Sequence, residues 1–331
     1  MYKLIIIGAT SDICRNKVYK NINNLHIFSS IYCYGWEKWT NNELCNYFND
    51  CVKGDISNLL NKINFINGNY NDYKITLSNI IDDDTVIYVA TPPLCYKNIL
   101  KDLYDNKSNF KIIFEKPFAT DYNNYRDLME YITDKVYLMD HFLYKKDIID
   151  LLSKYNEKEI YSFKVHFLYS DDVEKRLGYF DKTGLFKDMF QCHYLSILSI
   201  LIGNDVEKLL TAKVIKNERK QYLNYGGKNK VDTYFYLEID VSGKIFVFES
   251  GKAFKDKREI VINNESHTIK SYEDEYSQMF KNVINNNHIN IVKYQDLFWR
   301  IYNRFEKSFE GCDSDYYNKH IKEPEQLNYL E

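Results

Sequence analysis

The sequence has no excess of basic residues and no long apolar run, and these two absences narrow the classes of protein it can encode. Its 331 residues include 44 lysine and arginine residues against 47 aspartate and glutamate residues, giving a formal net charge of −3. This balance disfavours a general nucleic-acid binder, because such proteins need a basic surface. No run approaches the roughly 18 apolar residues that a membrane span needs. We therefore expect neither a nucleic-acid partner nor a membrane.

Paired cysteines, proline and glycine are also scarce. The seven cysteines contain no C-x-x-C pair, which disfavours a zinc ribbon or a dithiol redox motif. Proline and glycine number only 4 and 12, and asparagine is abundant instead, a drift from which no function follows. The apolar start Leu4–Ile7 is too short for a signal-peptide core. We expect a cytoplasmic protein with reduced thiols and no metal site.

Strand-like and helix-like segments alternate through the first 142 residues. Short β-branched runs such as Lys3–Ile7, Thr85–Val89 and Phe110–Phe114 are separated by helical stretches such as Asp12–Ile22. The alternation predicts a parallel, doubly wound sheet of the Rossmann type, and continuous apolar runs are typical of strands buried on both faces. We predict a dinucleotide-binding domain over residues 1–142.

The pattern changes in residues 143–331. A long helix is predicted over Gly184–Ile202, and two helices close the chain near Tyr272–Asn285 and Tyr294–Glu310, with packing back on the first domain left open. Strand-like runs follow one another without intervening helices, which predicts a mainly antiparallel sheet. These runs are Ile160–Leu168, Leu209–Ile215, Val231–Ile239, Lys244–Glu249 and Arg258–Ile262. We predict an α+β substrate-binding domain here.

Two strand ends are candidates for binding a cofactor. Gly8, Thr10, Ser11 and Asp12 follow the first strand and open a helix, where a tight turn and free N–H groups suit a pyrophosphate. An ordinary strand–turn–helix corner is the alternative. The second candidate is the segment Ala90, Thr91 and Pro92, which follows the fourth strand at the sheet edge where ligands bind.

Charged residues at two further strand ends and on the long helix are candidates for catalysis. Glu115 and Lys116 end the fifth strand, and Asp140 and His141 end the sixth. A solvated Lys–Glu pair is the alternative for the first of these. Asp188 and His193 lie five residues apart on the predicted long helix, so both point roughly inward with an angular offset. A carboxylate can hold a histidine in one tautomer and make it a base near neutral pH.

Several collinear segments together resemble the glucose-6-phosphate dehydrogenase family. Gly8 to Ile13 resembles its G-A-S-G-D-L turn, Glu115 to Phe118 its E-K-P-F motif, and Asp140 to Lys145 its D-H-Y-L-G-K stretch. The segments Gly178–Asp181 and Asp188–His193 resemble G-Y-F-D and D-V-M-Q-N-H, and Gly251–Phe254 resembles G-K-A-L. The resemblance spans nearly the whole chain.

The resemblance implies oxidation of C1 of a hexose 6-phosphate to the lactone, with NADP or NAD as hydride acceptor. It makes His193 the general base and Asp140 its dyad partner. It implies that sugar and phosphate are bound by Lys116, His141, Phe142, Lys145, Asp188, Lys252 and Lys257. It implies a cofactor site of Gly8, Thr10, Ser11, Asp12, Trp36, Glu37, Lys38, Ala90, Thr91, Pro92, Glu115 and Lys116.

The sequence departs from the family pattern at the cofactor and phosphate sites. Ser11 replaces a glycine, Phe142 a tyrosine and Cys192 an asparagine. Trp36 stands where the family has the arginine that grips the 2′-phosphate of NADP, and Glu37 replaces a serine. A glutamate after the second strand accepts a hydrogen bond from a ribose 2′-hydroxyl and repels a 2′-phosphate, which Lys38 would offset. The change indicates a shift towards NAD.

Two other interpretations stay open at this point. The two-domain build also resembles the Gfo/Idh/MocA group, which would act on another sugar. The replacements Ser11, Phe142 and Cys192 motivate the alternative of a catalytically silent module that binds a dinucleotide or a sugar phosphate, although an enzyme is favoured. We also expect a homodimer formed through the sheet of the second domain. Cys192 as a nucleophile is disfavoured, because helix neighbours one apart diverge by about 100° from His193.

Overall fold

The protein is described from a computed structural model that covers residues 1–69, 73–156, 159–270, 274–309 and 315–317. The chain divides into two compact units. The first comprises Met1–Lys145 and Tyr272–Lys293, and the second comprises Lys146–Ser271 and Tyr294–Glu331. The two segments predicted as terminal helices therefore belong to different units.

Six parallel strands form the sheet of the first unit. They are β1 Tyr2–Ile7, β2 Phe28–Gly35, β3 Ile63–Asn67, β4 Thr85–Val89, β5 Lys111–Glu115 and β6 Val136–Met139. Their order is β3-β2-β1-β4-β5-β6, so the strand order reverses between β1 and β4. Residues Leu4–Ile7 and the whole of β4 are buried. This is the doubly wound Rossmann-type sheet that the sequence predicts, and ligands bind such sheets at the carboxyl ends of the strands.

The second unit is built on a mixed sheet of seven described strands. They are β7 Ser162–Tyr169, β8 Lys213–Tyr222, β9 Tyr234–Val241, β10 Lys244–Lys252, β11 Lys257–Ile262, β12 Glu265–Thr268 and β13 Asp315–Tyr317. Their order is β12-β11-β7-β10-β9-β8-β13, and β10 with β7 and β13 with β8 are the two parallel pairs. The prediction of a mainly antiparallel sheet with helices is confirmed. The predicted strand over Leu209–Ile215 begins too early, because Gly203–Thr211 is a 3₁₀ segment.

Helices follow the strands in both units. The α-helices are α1 Tyr19–Asn23, α2 Asn41–Cys51, α3 Ser57–Leu60, α4 Tyr73–Leu77, α5 Tyr96–Tyr104, α6 Tyr122–Met129, α7 Lys146–Lys154, α8 Leu177–Thr183, α9 Leu195–Ile202, α10 Glu275–Ile284 and α11 Gln295–Ser308. Cys14–Val18 and Lys187–Tyr194 are π-helical and run directly into α1 and α9. Short 3₁₀ segments lie at Pro93–Cys95, His141–Tyr144, Glu174–Arg176 and Val292–Tyr294.

No single described helix has the length and apolar character to cross a membrane. The segments Glu174–Thr183 and Lys187–Thr211 meet the length and composition criteria only as a pair, bent by 77°.

The π-helix Lys187–Tyr194 is anchored at its start by a partly buried ion cluster. The Asp232 carboxylate accepts a hydrogen bond from the backbone N–H of Phe186, and its backbone carbonyl accepts one from Leu185. Arg219 lies 3.9 Å from Asp232 and forms a two-pronged ion pair with Glu306 of α11. The Arg219 side chain is only 18% exposed. The cluster therefore ties the sheet, the helix start and α11 together.

We predict that Asp232→Ala lowers the free energy of unfolding of the second unit by about 3 kcal/mol, since it leaves a buried guanidinium with one partner fewer. Chemical denaturation followed by circular dichroism measures this. The control is Asp205→Ala, which breaks the exposed Asp205–Lys208 pair and costs less than about 1 kcal/mol. Equal losses for both variants would show that the cluster has no special role.

Candidate active site

The turn after β1 holds Gly8 in the left-handed region, with φ of +84°. A Cβ atom at Gly8 would lie 2.9 Å from the backbone carbon and oxygen of Ala90, so a side chain has no room there. The N–H groups of Gly8 and Ala9 donate to the carbonyl of Tyr34 at 3.0 and 3.1 Å. The turn thus joins the carboxyl ends of β1, β2 and β4, which is the point where the sheet order reverses.

Ser11 begins the helix that follows this turn. Its hydroxyl oxygen accepts a hydrogen bond from the N–H of Cys14 at 3.4 Å, as a cap residue does. Thr10 and Ser11 are half-buried and Asp12 is exposed. A glycine turn, a helix N-terminus and two hydroxyls fit the pyrophosphate of a dinucleotide, because they supply donors and a positive dipole end. Thr91 is buried and Pro92 is exposed at the neighbouring strand end.

The loop after β2 presents Trp36 and Glu37. The indole of Trp36 is 69% exposed, which leaves its face open to a planar ligand. Asn67 fixes the loop, because its amide donates to the carbonyls of Trp36 and Glu37 at 3.0 and 2.8 Å. One carboxylate oxygen of Glu37 is buried, and it lies 2.7 Å from where a Cβ of Gly35 would be. Lys38 is exposed and lines an adjoining cavity of about 600 Å³.

Glu115, at the end of β5, is a buried carboxyl with phenolic partners. Tyr88 donates to its carboxylate at 2.7 Å, and Tyr276 of α10 also hydrogen-bonds to it. Its burial raises its pKa to about 7, and the negative charge of Asp140 acts in the same direction, against the lowering by the phenols and Lys116. The peptide bond between Lys116 and Pro117 is cis. The Glu115 carboxyl is therefore poised between its two charge states near neutral pH.

Asp140 and His141 follow β6, beside the end of β5. Asp140 is 1% exposed and caps the turn His141–Tyr144, where one carboxylate oxygen accepts from the N–H of Phe142 at 2.9 Å. The imidazole of His141 stacks on the ring of Tyr276, with centroids 6.0 Å apart and planes 15° apart. The ammonium of Lys145 lies 4.2 Å from the ring centroid of Phe142. In the first unit, Lys116, Asp140 and His141 therefore share one sheet edge.

Asp188 and His193 lie on the π-helix of the second unit. In an α-helix, residues five apart differ by about 140° around the axis. A π-helix instead joins residue i to residue i+5, which brings residues five apart close to the same face. The sequence predicted an ordinary helix, so the wider turns correct the expected angular offset. Asp188 and His193 are 4% and 1% exposed, and Tyr179 donates to Asp188 at 2.7 Å.

Cys192 is a packed thiol. It is 6% exposed, and its sulfur lies 3.0 Å from the side-chain oxygen of Gln191. The thiol of Cys192 therefore contacts a neighbouring side chain and is buried.

Lys252 and Arg258 flank the ring of Tyr169. The Lys252 ammonium lies 3.9 Å from the ring centroid, and the Arg258 guanidinium lies 5.1 Å from it. Asp188 acts electrostatically on the same phenol and, with burial, raises its pKa against the lowering by Arg258. Lys257 is exposed and pairs with Glu259 at 3.0 Å. Arg258, which the sequence analysis does not name, is therefore the residue of β11 that contacts the same ring as Lys252.

Arg258 and Lys257 are neighbours on β11, so their side chains lie on opposite faces of the sheet. Arg258 pairs in register with Phe167, whose ring contacts Tyr194 of the π-helix, whereas Lys257 pairs with Leu168 on the opposite face. Alternation along β11 could have revealed this only with the register known.

The first unit is thus a Rossmann-type unit whose strand ends are fitted to a dinucleotide, and comparisons with known proteins specify the family. Residues 5–149 match the NAD-binding domain and residues 150–235 the C-terminal domain of glucose-6-phosphate dehydrogenase. The chain belongs to the glucose-6-phosphate dehydrogenase family.

Curated relatives and a solved structure show how far the similarity extends. The chain is 26% identical over 240 residues to the Cyberlindnera jadinii glucose-6-phosphate 1-dehydrogenase, covering 60% of this chain and 48% of that protein. It is 22% identical to the Dickeya dadantii enzyme, covering 84% and 73%. A solved glucose-6-phosphate dehydrogenase in complex with its substrate glucose 6-phosphate is 18% identical, covers 98% of this chain and 96% of that one, and has a TM-score of 0.77. The chain thus spans about half the length of the Cyberlindnera jadinii enzyme.

We predict that Glu115→Gln changes how stability depends on pH. The raised pKa of Glu115 means that the folded chain keeps a proton which the unfolded chain loses between about pH 4.5 and 7. The stability from this group is complete below pH 4.5 and is lost as the pH rises through 7. Wild type should lose about 3 kcal/mol relative to Glu115→Gln over this window. Urea denaturation at pH 5 and pH 8 measures it, and parallel slopes for both proteins would contradict the assignment.

Proposed function

We propose that this protein is a glucose-6-phosphate dehydrogenase that oxidises C1 of glucose 6-phosphate to the lactone. The observation that carries the proposal is the π-helix, which sets the buried Asp188 and His193 close to one face with Lys252 and Tyr169 in the same unit. Both side chains are almost fully buried, and Asp188 is held by the hydrogen bond from Tyr179, so the acid and the imidazole are fixed in place for a role in catalysis.

His193 is the general base in this proposal. Its imidazole takes the proton from the C1 hydroxyl, and the Asp140 carboxylate stabilises the imidazolium that results. Lys116, Asp188 and Lys252 hold the sugar hydroxyls. A bound oxidised nicotinamide supplies the acceptor for the hydride that leaves C1.

The phosphate is assigned to His141 and Lys145. The cation–π contact with Phe142 supports this role, because it restricts the position of the Lys145 ammonium. Phe142 offers no hydroxyl, so charge takes the larger part in recognition.

We propose NAD as the preferred cofactor. Glu37 follows β2 at the position where a carboxylate accepts from a ribose 2′-hydroxyl, and the exposed Trp36 offers a face to the adenine. The homodimer through the second sheet and the cytoplasmic location stay predictions.

An assay of reduced nicotinamide absorbance tests the reaction. Purified protein is given glucose 6-phosphate, glucose or other hexose phosphates, each with NAD and with NADP. We expect turnover with glucose 6-phosphate and a higher kcat/KM with NAD. A strong NADP preference would contradict the role of Glu37. Turnover with another sugar alone would show that the substrate is not glucose 6-phosphate. Dinucleotide binding without any turnover would favour the silent binding module.

We predict that His193→Asn lowers kcat by about 100-fold to about 10,000-fold, as loss of a general base does. Dinucleotide affinity should be unchanged, because the change lies in the other unit. The control is His26→Asn, at an exposed histidine of the first unit. A His193→Asn enzyme with the rate of wild type would exclude the base.

We propose that Arg258, which contacts the Tyr169 ring together with Lys252, also binds the substrate. We predict that Arg258→Met raises KM for glucose 6-phosphate about 10-fold, the effect of losing one charged hydrogen-bond partner. Lys257→Met, one position along the same strand, should change KM less than about twofold, since it breaks only an exposed ion pair. Steady-state kinetics measure both. The reverse ranking would restore Lys257 as the substrate residue.

A further inference from the structure

Tyr276 links two strand ends of the first unit that carry different proposed roles. Its phenol hydrogen-bonds to Glu115 after β5, and its ring stacks on His141 after β6. Tyr276 is 1% exposed and stands at the start of α10, which packs on the turn His141–Tyr144. One side chain therefore contacts both a buried carboxyl and the imidazole assigned to the phosphate.

The anchor of Tyr276 is itself rigid. Glu115 is 5% exposed and also accepts a hydrogen bond from Tyr88 of β4, while the phenol of Tyr96 donates to its backbone carbonyl at 3.1 Å. The Tyr276 phenol has little freedom to turn, because breaking its hydrogen bond to the buried Glu115 carboxyl would leave a buried polar group without a partner. The plane of the Tyr276 ring is thereby fixed.

We propose that Tyr276 is a positioning residue that orients His141 for the substrate's phosphate group, with Glu115 as its anchor. The inference rests on the proposed function. A near-parallel ring at 6.0 Å restricts rotation of the imidazole, so its N–H is preorganised for an anion and less entropy is lost on binding.

Three variants separate the parts of this arrangement. Tyr276→Leu removes the ring and the hydroxyl, and Tyr276→Phe keeps the ring but frees it from Glu115. The matched control is Tyr88→Phe, which removes the other phenol donor to Glu115 while its ring packs on Phe280 and not on His141.

The first measurement is kinetic. We expect Tyr276→Leu to raise KM for glucose 6-phosphate about 10-fold with kcat changed less than about threefold, the effect of weakening one charged hydrogen bond. Tyr276→Phe should lie between Tyr276→Leu and wild type, and it keeps the test valid if Tyr276→Leu does not fold. Tyr88→Phe should leave KM within about twofold. Equal KM changes for Tyr276→Phe and Tyr88→Phe would overturn the proposal, since both then act only through Glu115.

The second measurement needs no turnover. Inorganic phosphate is titrated into the dinucleotide-bound protein, and the imidazole NMR signal of His141, identified by its loss in His141→Gln, is followed. We expect the midpoint to rise about 10-fold in Tyr276→Leu and to stay near wild type in Tyr88→Phe. A His141 signal that ignores phosphate in an enzyme that turns over glucose 6-phosphate overturns this inference alone. If the protein shows no turnover, but the His141 signal responds to phosphate and the midpoint rises in Tyr276→Leu, the result supports the positioning role of Tyr276 and contradicts the proposed function.

Discussion

The wide turns of the π-helix Lys187–Tyr194 are the constraint on which the chemistry proposed for the second unit depends. They bring Asp188 and His193 close to one face, and the return to α-helical turns at Leu195 keeps the following leucines in the core. The backbone of such a helix is rarely adopted, so its surroundings must hold it. Phe186 and Phe190 stack at 4.7 Å, and the Asp232 carboxylate fixes the helix start.

In the first unit the corresponding constraint is the burial of the sheet on both faces. Polar groups then gather at the carboxyl ends of the strands, and each buried one needs a partner. Tyrosine meets this need repeatedly, since its ring joins the core while its hydroxyl donates. Tyr19 donates to the carbonyl of Ala9 at 2.6 Å, beside the glycine turn, and Tyr88 donates to Glu115. The abundance of tyrosine thus has a structural use in this chain.

The sequence patterns predict the six parallel strands, the second sheet and the strand ends that carry Lys116, Asp140 and His141. They do not predict the π-helix, because 3.6 residues per turn are assumed, which gives Asp188 and His193 an angular offset of about 140°. Lys257 is named through the family resemblance alone, and the face that each residue of β11 occupies follows only from its register with β7. The contact of Tyr276 with Glu115 joins segments far apart in sequence, and local periodicity carries no information about such pairs.

Phe142 lacks the hydroxyl that the family's tyrosine has at this position, but its ring contacts the ammonium of Lys145. A lysine pays about 2 kcal/mol of rotamer entropy to hold its ammonium at one place. The Phe142 ring, 4.2 Å away, already restricts that ammonium, and such contacts contribute about 0.5–2 kcal/mol. A preorganised cation can therefore offset a missing neutral donor of about 1 kcal/mol. On this argument the departure at Phe142 shifts the proposed phosphate recognition from hydrogen bonding towards charge without abolishing it.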